Sequence, residues 1–140
     1  MGGDFAPANA VAGAIDALRE SCGRFSVVLV GQEHLINEEL RKPGNQVTVA
    51  RGGGSCSISN ATEVIAMHDS PTAALKTKRD SSITVGLTMH KENKVDAFVS
   101  AGNTGAVMSA STLILGRING VGRPTIGALV PTAKDPCLLR

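Results

Sequence analysis

The residues best suited to chemistry fall in three short stretches: SAGNTG at residues 100–105, MGGDFAP at residues 1–7 and KTKR at residues 76–79. In the first, Ser100 closes an apolar run, Gly102 and Gly105 permit close backbone approach, and Asn103 or Thr104 is placed to cap a following helix. A helix start exposes free N–H groups and partial positive charge, so the stretch suits an anion. It suits equally well an ordinary capped turn between a strand and a helix. It is neither a P-loop nor the spaced triple-glycine dinucleotide fingerprint. In MGGDFAP, Gly2 and Gly3 precede Asp4, which either caps the next helix or orients a substrate. Lys76, Lys78 and Arg79 form a basic cluster: a solvated helix end, or a contact for an acidic partner or a phosphate.

These stretches need a scaffold, and the apolar pattern supplies one. PANAVAGAIDALRESCG reads as a helix, with Val11, Ile15 and Leu18 at helical spacing, Pro7 in the first turn and Gly23 at the stop. FSVVLVG at 25–31 reads as a buried strand, and EHLINEEL as a short helix closed by Pro43 and Gly44. QVTVA at 46–50 and SCSIS at 55–59 compete for the second strand, and the pattern does not choose between them. DSPTAALKTKR is a helix with Ser70 as cap and Pro71 in its first position. DSSITVGLTMHKENK is another, capped by Asp80, Ser81 or Ser82. VDAFVS reads as a strand, NTGAVMSASTLILGRI as a buried helix, and TIGALVP and CLL as final strands. Alternating strands and helices imply a mostly parallel sheet covered on both faces, with ligands beyond the carboxyl ends of the strands.

Composition excludes several classes. Aromatics are 2% of 140 residues, so a base-stacking platform for nucleic acid is missing. The net charge of +2 also gives no reason to expect a nucleic-acid partner. The charge is uneven: residues 1–70 hold five Lys/Arg against eight Asp/Glu, and residues 71–140 hold nine against four, which could favour an acidic partner. Cys22, Cys56 and Cys137 show no metal-ligand spacing, and Cys22 and Cys137 read as packed, reduced thiols. His34, His68 and His90 form no ligand pair, and His68 reads as structural. With neither a signal peptide nor a long apolar run, the expectation is a cytoplasmic chain.

Taken in order, MGGDFAP, ATEVIAMHDSPTAAL, KRDSSITVGL, DAFVSAGNTGAVMSAS and LGRINGVGRPTIGALVPT resemble the bacterial phosphate acyltransferase family (the PlsX family). The resemblance runs over nearly the whole chain and is weakest at RGGGSC and the last few residues. It implies a three-layer α/β/α fold with a mostly parallel sheet, like that of isocitrate and isopropylmalate dehydrogenases, usually in homodimers. It implies transfer of a fatty acyl group from acyl carrier protein to inorganic phosphate, giving acyl phosphate for phospholipid synthesis. If phosphate itself attacks the thioester, neither a metal, a cofactor nor a nucleophilic cysteine is required. Ser100, Gly102, Asn103, Thr104 and Gly105 would contact phosphate or thioester, Gly2, Gly3 and Asp4 would form the facing wall, and Lys76, Lys78 and Arg79 would dock the acidic carrier protein. Family members are much longer, so residues 1–140 read as one partial domain, with a first strand and a second half outside it. Any membrane contact would fall in that outside part. The alternative is an inactive truncated product with at most a binding or dimerisation role. A dehydrogenase-like nucleotide binder is disfavoured by the missing fingerprint.

Overall fold

The computed structural model describes residues 3–45, 54–133 and 135–139, and the QVTVA strand candidate lies outside them. Helix α1, Ala8–Ser21, forms where Val11, Ile15 and Leu18 recur at helical spacing, and all three are buried. Two successive left-handed residues, Cys22 (φ 50°) and Gly23 (φ 83°), end it. The buried Ser21 hydroxyl closes that turn by donating to the Leu18 carbonyl at 2.8 Å and accepting from the Gly23 N–H at 3.2 Å.

Strand β1, Val27–Gly31, is followed by helix α2, Glu33–Leu40, and strand β2, Cys56–Asn60. β1 and β2 pair in parallel, Val27 opposite Cys56 and Gly31 opposite Asn60, so SCSIS supplies a strand of the expected parallel sheet. Leu29, Cys56 and Ile58 of this sheet pack under Val11 and Ile15 of α1 and Ile36 of α2. Burial also pushes the Cys56 thiol pKa up.

A second cluster lies among three helices: α3, Pro71–Thr77; α4, Ser82–Lys91; and α5, Thr104–Ile114. It joins Ile65, Ala74, Ile83, Leu87, Ala106 and Ala110, with Phe98 and Val107 against it. Ala106 and Ala110, one helical turn apart, let α5 approach its neighbours closely. Pro71 opens α3 as expected, but the Ser70 side chain makes no capping bond. Ser81 caps α4, its Oγ accepting from the Thr84 N–H at 3.3 Å.

Several expectations need correction. VDAFVS forms no strand: Phe98 anchors it by packing its ring against Gly86, while Val99 is 93% exposed. A strand needs a ladder neighbour, and none among the described residues pairs with this segment. The last strands, β3 (Ala128–Val130) and β4 (Cys137–Leu139), do form, but they pair antiparallel with each other and, among the described residues, join no parallel sheet. Helix α5 is buried on its alanine face alone, and Leu113 is 74% exposed. Its apolar residues outnumber those that one narrow contact face can cover. Cys22 and Cys137 are exposed rather than packed, because Cys22 sits in the αL turn after α1 and β4 lies on the surface. His68 is exposed as well.

Two helix glycines give opposite expectations. A Cβ on Gly13 of α1 meets nothing within 4 Å, so Gly13→Ala raises stability by about 1 kcal/mol through helix propensity. A Cβ on Gly86 would stand 2.4 Å from the Phe98 ring, so Gly86→Ala lowers stability by about 1–3 kcal/mol. Urea denaturation followed by circular dichroism reads both. In a Phe98→Ala background, Gly86→Ala changes sign and stabilises.

Candidate functional site

The N-terminal segment and the loop before α5 lie against each other. Gly3 has φ +90°, and a Cβ there would come within 3.2 Å of the Ala101 carbonyl oxygen. Conformation and proximity therefore both require glycine. Beside this contact opens a cleft of about 340 Å³, lined among others by Asp4, Phe5, Asn9, Ala10, Met67 and Ala101. Phe5 and Met67 present apolar surface there, 72% and 58% exposed. Asp4 is exposed and does not cap α1, whose N-cap is Pro7 without a side-chain bond. Gly2 lies outside the described residues.

Asn103 is 7% exposed, and its side chain is committed on both sides. Its Oδ1 accepts from the Ala106 N–H at 3.0 Å, capping α5. Its Nδ2 donates to the carbonyls of Ala66, Met67 and Asp69 at 3.2, 3.4 and 3.2 Å. Asn103 therefore joins the start of α5 to the loop after β2 and faces inward. Thr104 stays exposed in the first helical position, and Ser100, also exposed, accepts the Gly102 N–H on its Oγ at 3.2 Å. A Cβ on Gly105 would press on Pro71 Cγ at 3.0 Å, so this glycine makes room for α3.

The basic cluster divides. Lys78 turns inward, its Nζ 2.5 Å from Asp69 Oδ2 and 2.9 Å from the Val64 carbonyl. Lys76 and Arg79 remain exposed, and Arg79 borders a separate depression with Ser59, Thr84, Glu92 and Lys94. Two carboxylates brace the loop between β2 and α3: Asp69, given no role in the sequence, and Asp80, expected as a possible cap of α4, a place Ser81 takes. Asp69 also accepts the Ala66 N–H at 2.8 Å, and Asp80 accepts both the hydroxyl (2.5 Å) and the N–H (2.8 Å) of Thr62. The Lys78 hydrogen bond, then the Ala66 N–H, holds the Asp69 pKa below its ordinary value, and the Thr62 bonds do the same for Asp80. The available signal was position: Asp69 precedes the α3 boundary and Asp80 the α4 boundary, where short polar side chains bind nearby backbone.

What these elements define is an α/β unit whose loop-to-helix junction faces a glycine-bearing wall. A family described as "Fatty acid synthesis protein" matches residues 1–139, and the chain belongs to that family. Among named relatives, the phosphate acyltransferase of Acetivibrio thermocellus is 48% identical over 139 residues. That of Chlorobaculum tepidum is 50% identical over 131 residues, and that of Clostridium tetani 42% over 139. These alignments cover 99%, 94% and 99% of this chain but 39%, 38% and 40% of the relatives. The chain thus spans about two fifths of their length. Among the described residues, no helix is long and apolar enough to cross a membrane.

The braces make stability depend on acid in a stated direction. A depressed folded-state pKa stabilises fully above the unfolded value, near 4, and the contribution is lost as pH falls through the folded value. Asp80→Asn should therefore lower the urea midpoint at pH 6–7, and the gap from the unaltered chain should close as pH falls well below about 4. Asp69→Asn should behave alike. Denaturation curves taken from pH 7 downward check this, and a gap that persists at the acid end contradicts it.

Proposed function

We propose that this chain carries part of the site at which a fatty acyl group passes from acyl carrier protein to inorganic phosphate. The product, acyl phosphate, would serve phospholipid synthesis. The observation that carries the reading is the contact between Gly3 and Ala101, which sets the glycine wall beside the start of α5 and opens the cleft between them. Family membership and the names of the relatives support it.

In this reaction a phosphate oxygen attacks the thioester carbonyl. A carbon–oxygen bond forms, the carbon–sulfur bond breaks, and the carrier leaves as its thiol once protonated. The site must hold a polyanion and stabilise a developing oxyanion, for which oriented neutral donors are suited. In our reading Gly3 and Asp4 form one wall, and Gly2, outside the described residues, is proposed to belong to the same site. Ser100, Gly102 and Thr104 face the phosphate or thioester. Asn103 serves by fixing the helix start, and Gly105 by leaving room for Pro71. Lys76 and Arg79 dock the acidic carrier, while Lys78 is engaged elsewhere. The finer fold in this proposal is the three-layer dehydrogenase-like one, of which this chain is a partial domain, in a cytoplasmic homodimer. A second reading, a binding or dimerisation role without catalysis, draws on the exposed Val99, Leu113, Ile118 and Leu129.

The test substitutes this chain for the aligned segment of the Acetivibrio thermocellus relative and follows phosphate-dependent release of the free thiol from acylated acyl carrier protein. Ser100→Ala with Thr104→Ala should lower the rate about 100-fold, the scale of losing an oxyanion donor. An unchanged rate, with an unchanged circular dichroism spectrum, would remove these residues from the site. Absence of any phosphate-dependent release from the unaltered hybrid would favour the second reading.

A further inference from the structure

The basic cluster and the loop before α5 are 21 positions apart at their nearest, Arg79 and Ser100, yet one member of the cluster reaches the helix start through a continuous series of contacts. Lys78 Nζ donates to Asp69 Oδ2 at 2.5 Å and to the Val64 carbonyl at 2.9 Å. The same Asp69 oxygen accepts the Ala66 N–H at 2.8 Å, so residues 64–69 close into a tight loop around one cation. The outward carbonyls of that loop, Ala66, Met67 and Asp69, all receive the Asn103 amide. The other end of the Asn103 side chain holds the Ala106 N–H. Met67, in the middle of the loop, lines the cleft.

We infer that Lys78 and Asp69 are positioning residues, which act through the 64–69 loop and Asn103 to fix the start of α5 and the Met67 side of the cleft. Physical chemistry favours this assignment over a surface role for Lys78. Its side chain is 32% exposed and that of Asp69 21%, so the pair is part-shielded from solvent. A charge-assisted bond of this kind is stronger than a neutral one, and Asp69 divides its oxygen between a side chain and the backbone. Without the cation, the loop would lose the group that binds Val64 and Asp69 together, and the three carbonyls that hold Asn103 would no longer be aligned. The α5 cap would then weaken without any change at α5 itself. That these groups matter for turnover rests on the proposed acyl-transfer site; that they set the helix start does not.

Two measurements separate those claims. Amide hydrogen exchange in the 140-residue chain compares Ala106, capped by Asn103, with Thr84, capped by Ser81 at the start of α4. Lys78→Met should speed exchange at Ala106 and Ala66 about tenfold, the loss expected for a hydrogen bond to a charged group, with Thr84 changed less than about twofold. Lys78→Arg, which keeps charge and donors, should return Ala106 to within about threefold of the unaltered chain. Equal acceleration at Ala106 and Thr84 would mean a general loss of stability and would overturn the inference, as would no change at Ala106. In the hybrid enzyme described above, Lys78→Met should raise KM for phosphate about tenfold with kcat within about threefold, and Lys78→Arg should reverse most of the rise. If exchange responds as stated but the unaltered hybrid releases no thiol, the positioning role stands and the acyltransferase reading fails. If exchange does not respond, the positioning role fails whatever the hybrid does.

Discussion

A single buried amide holds this structure's two working parts in register. Asn103 is the cap of α5 through its oxygen and the clamp on residues 66–69 through its nitrogen. Aspartate or serine could supply the cap but not both roles together: aspartate has no donor, and serine's one hydroxyl hydrogen cannot serve so many carbonyls. Burial sharpens the requirement, because a polar group withdrawn from water must recover its bonds inside the protein. The site geometry follows: with α5 tied to the loop after β2, Ala101 is brought against Gly3, and the cleft takes its width from that approach.

The helices were the most legible part of the fold. Val11, Ile15 and Leu18 announced α1, Pro71 marked the start of α3, and the cap candidates at 80–82 bracketed the start of α4, because these signals are local and act within one turn of chain. The strands were legible only in part. SCSIS found a neighbour in β1, while VDAFVS, more apolar, found none among the described residues, and its Phe98 went to a helix instead. Strand character depends on what lies alongside, which no window of sequence contains. The same limit explains the overestimated burial of α5: the pattern shows how much of a helix could be covered, not how much cover arrives.

In the candidate site, residue types were easier to find than their roles. Gly3 and Ala101 of the two stretches proved to be neighbours, yet Asn103 turned inward and Gly105 serves Pro71. Lys78 read as one of three surface cations, but it sits nine residues from a carboxylate that a short intervening helix swings into reach. Asp69 drew no notice beside the glycines and Asp80 was read only as a possible cap, since an acidic residue before a helix has an ordinary explanation. Their work is to satisfy the backbone of an irregular loop, and only the path of that loop reveals it.

The exposed apolar side chains bear on how this chain behaves in solution. Val99, Leu113, Ile118, Leu129 and Leu138 are each at least 63% exposed, and the formal charge that would keep copies apart is only +2. With an isoelectric point near 8.6, even that small repulsion fades in mildly alkaline buffer. Colloidal stability should then be best on the acid side of neutrality, above the range where Asp69 and Asp80 begin to take up protons. The braces and the surface together leave a bounded interval of pH in which the chain is both folded and dispersed.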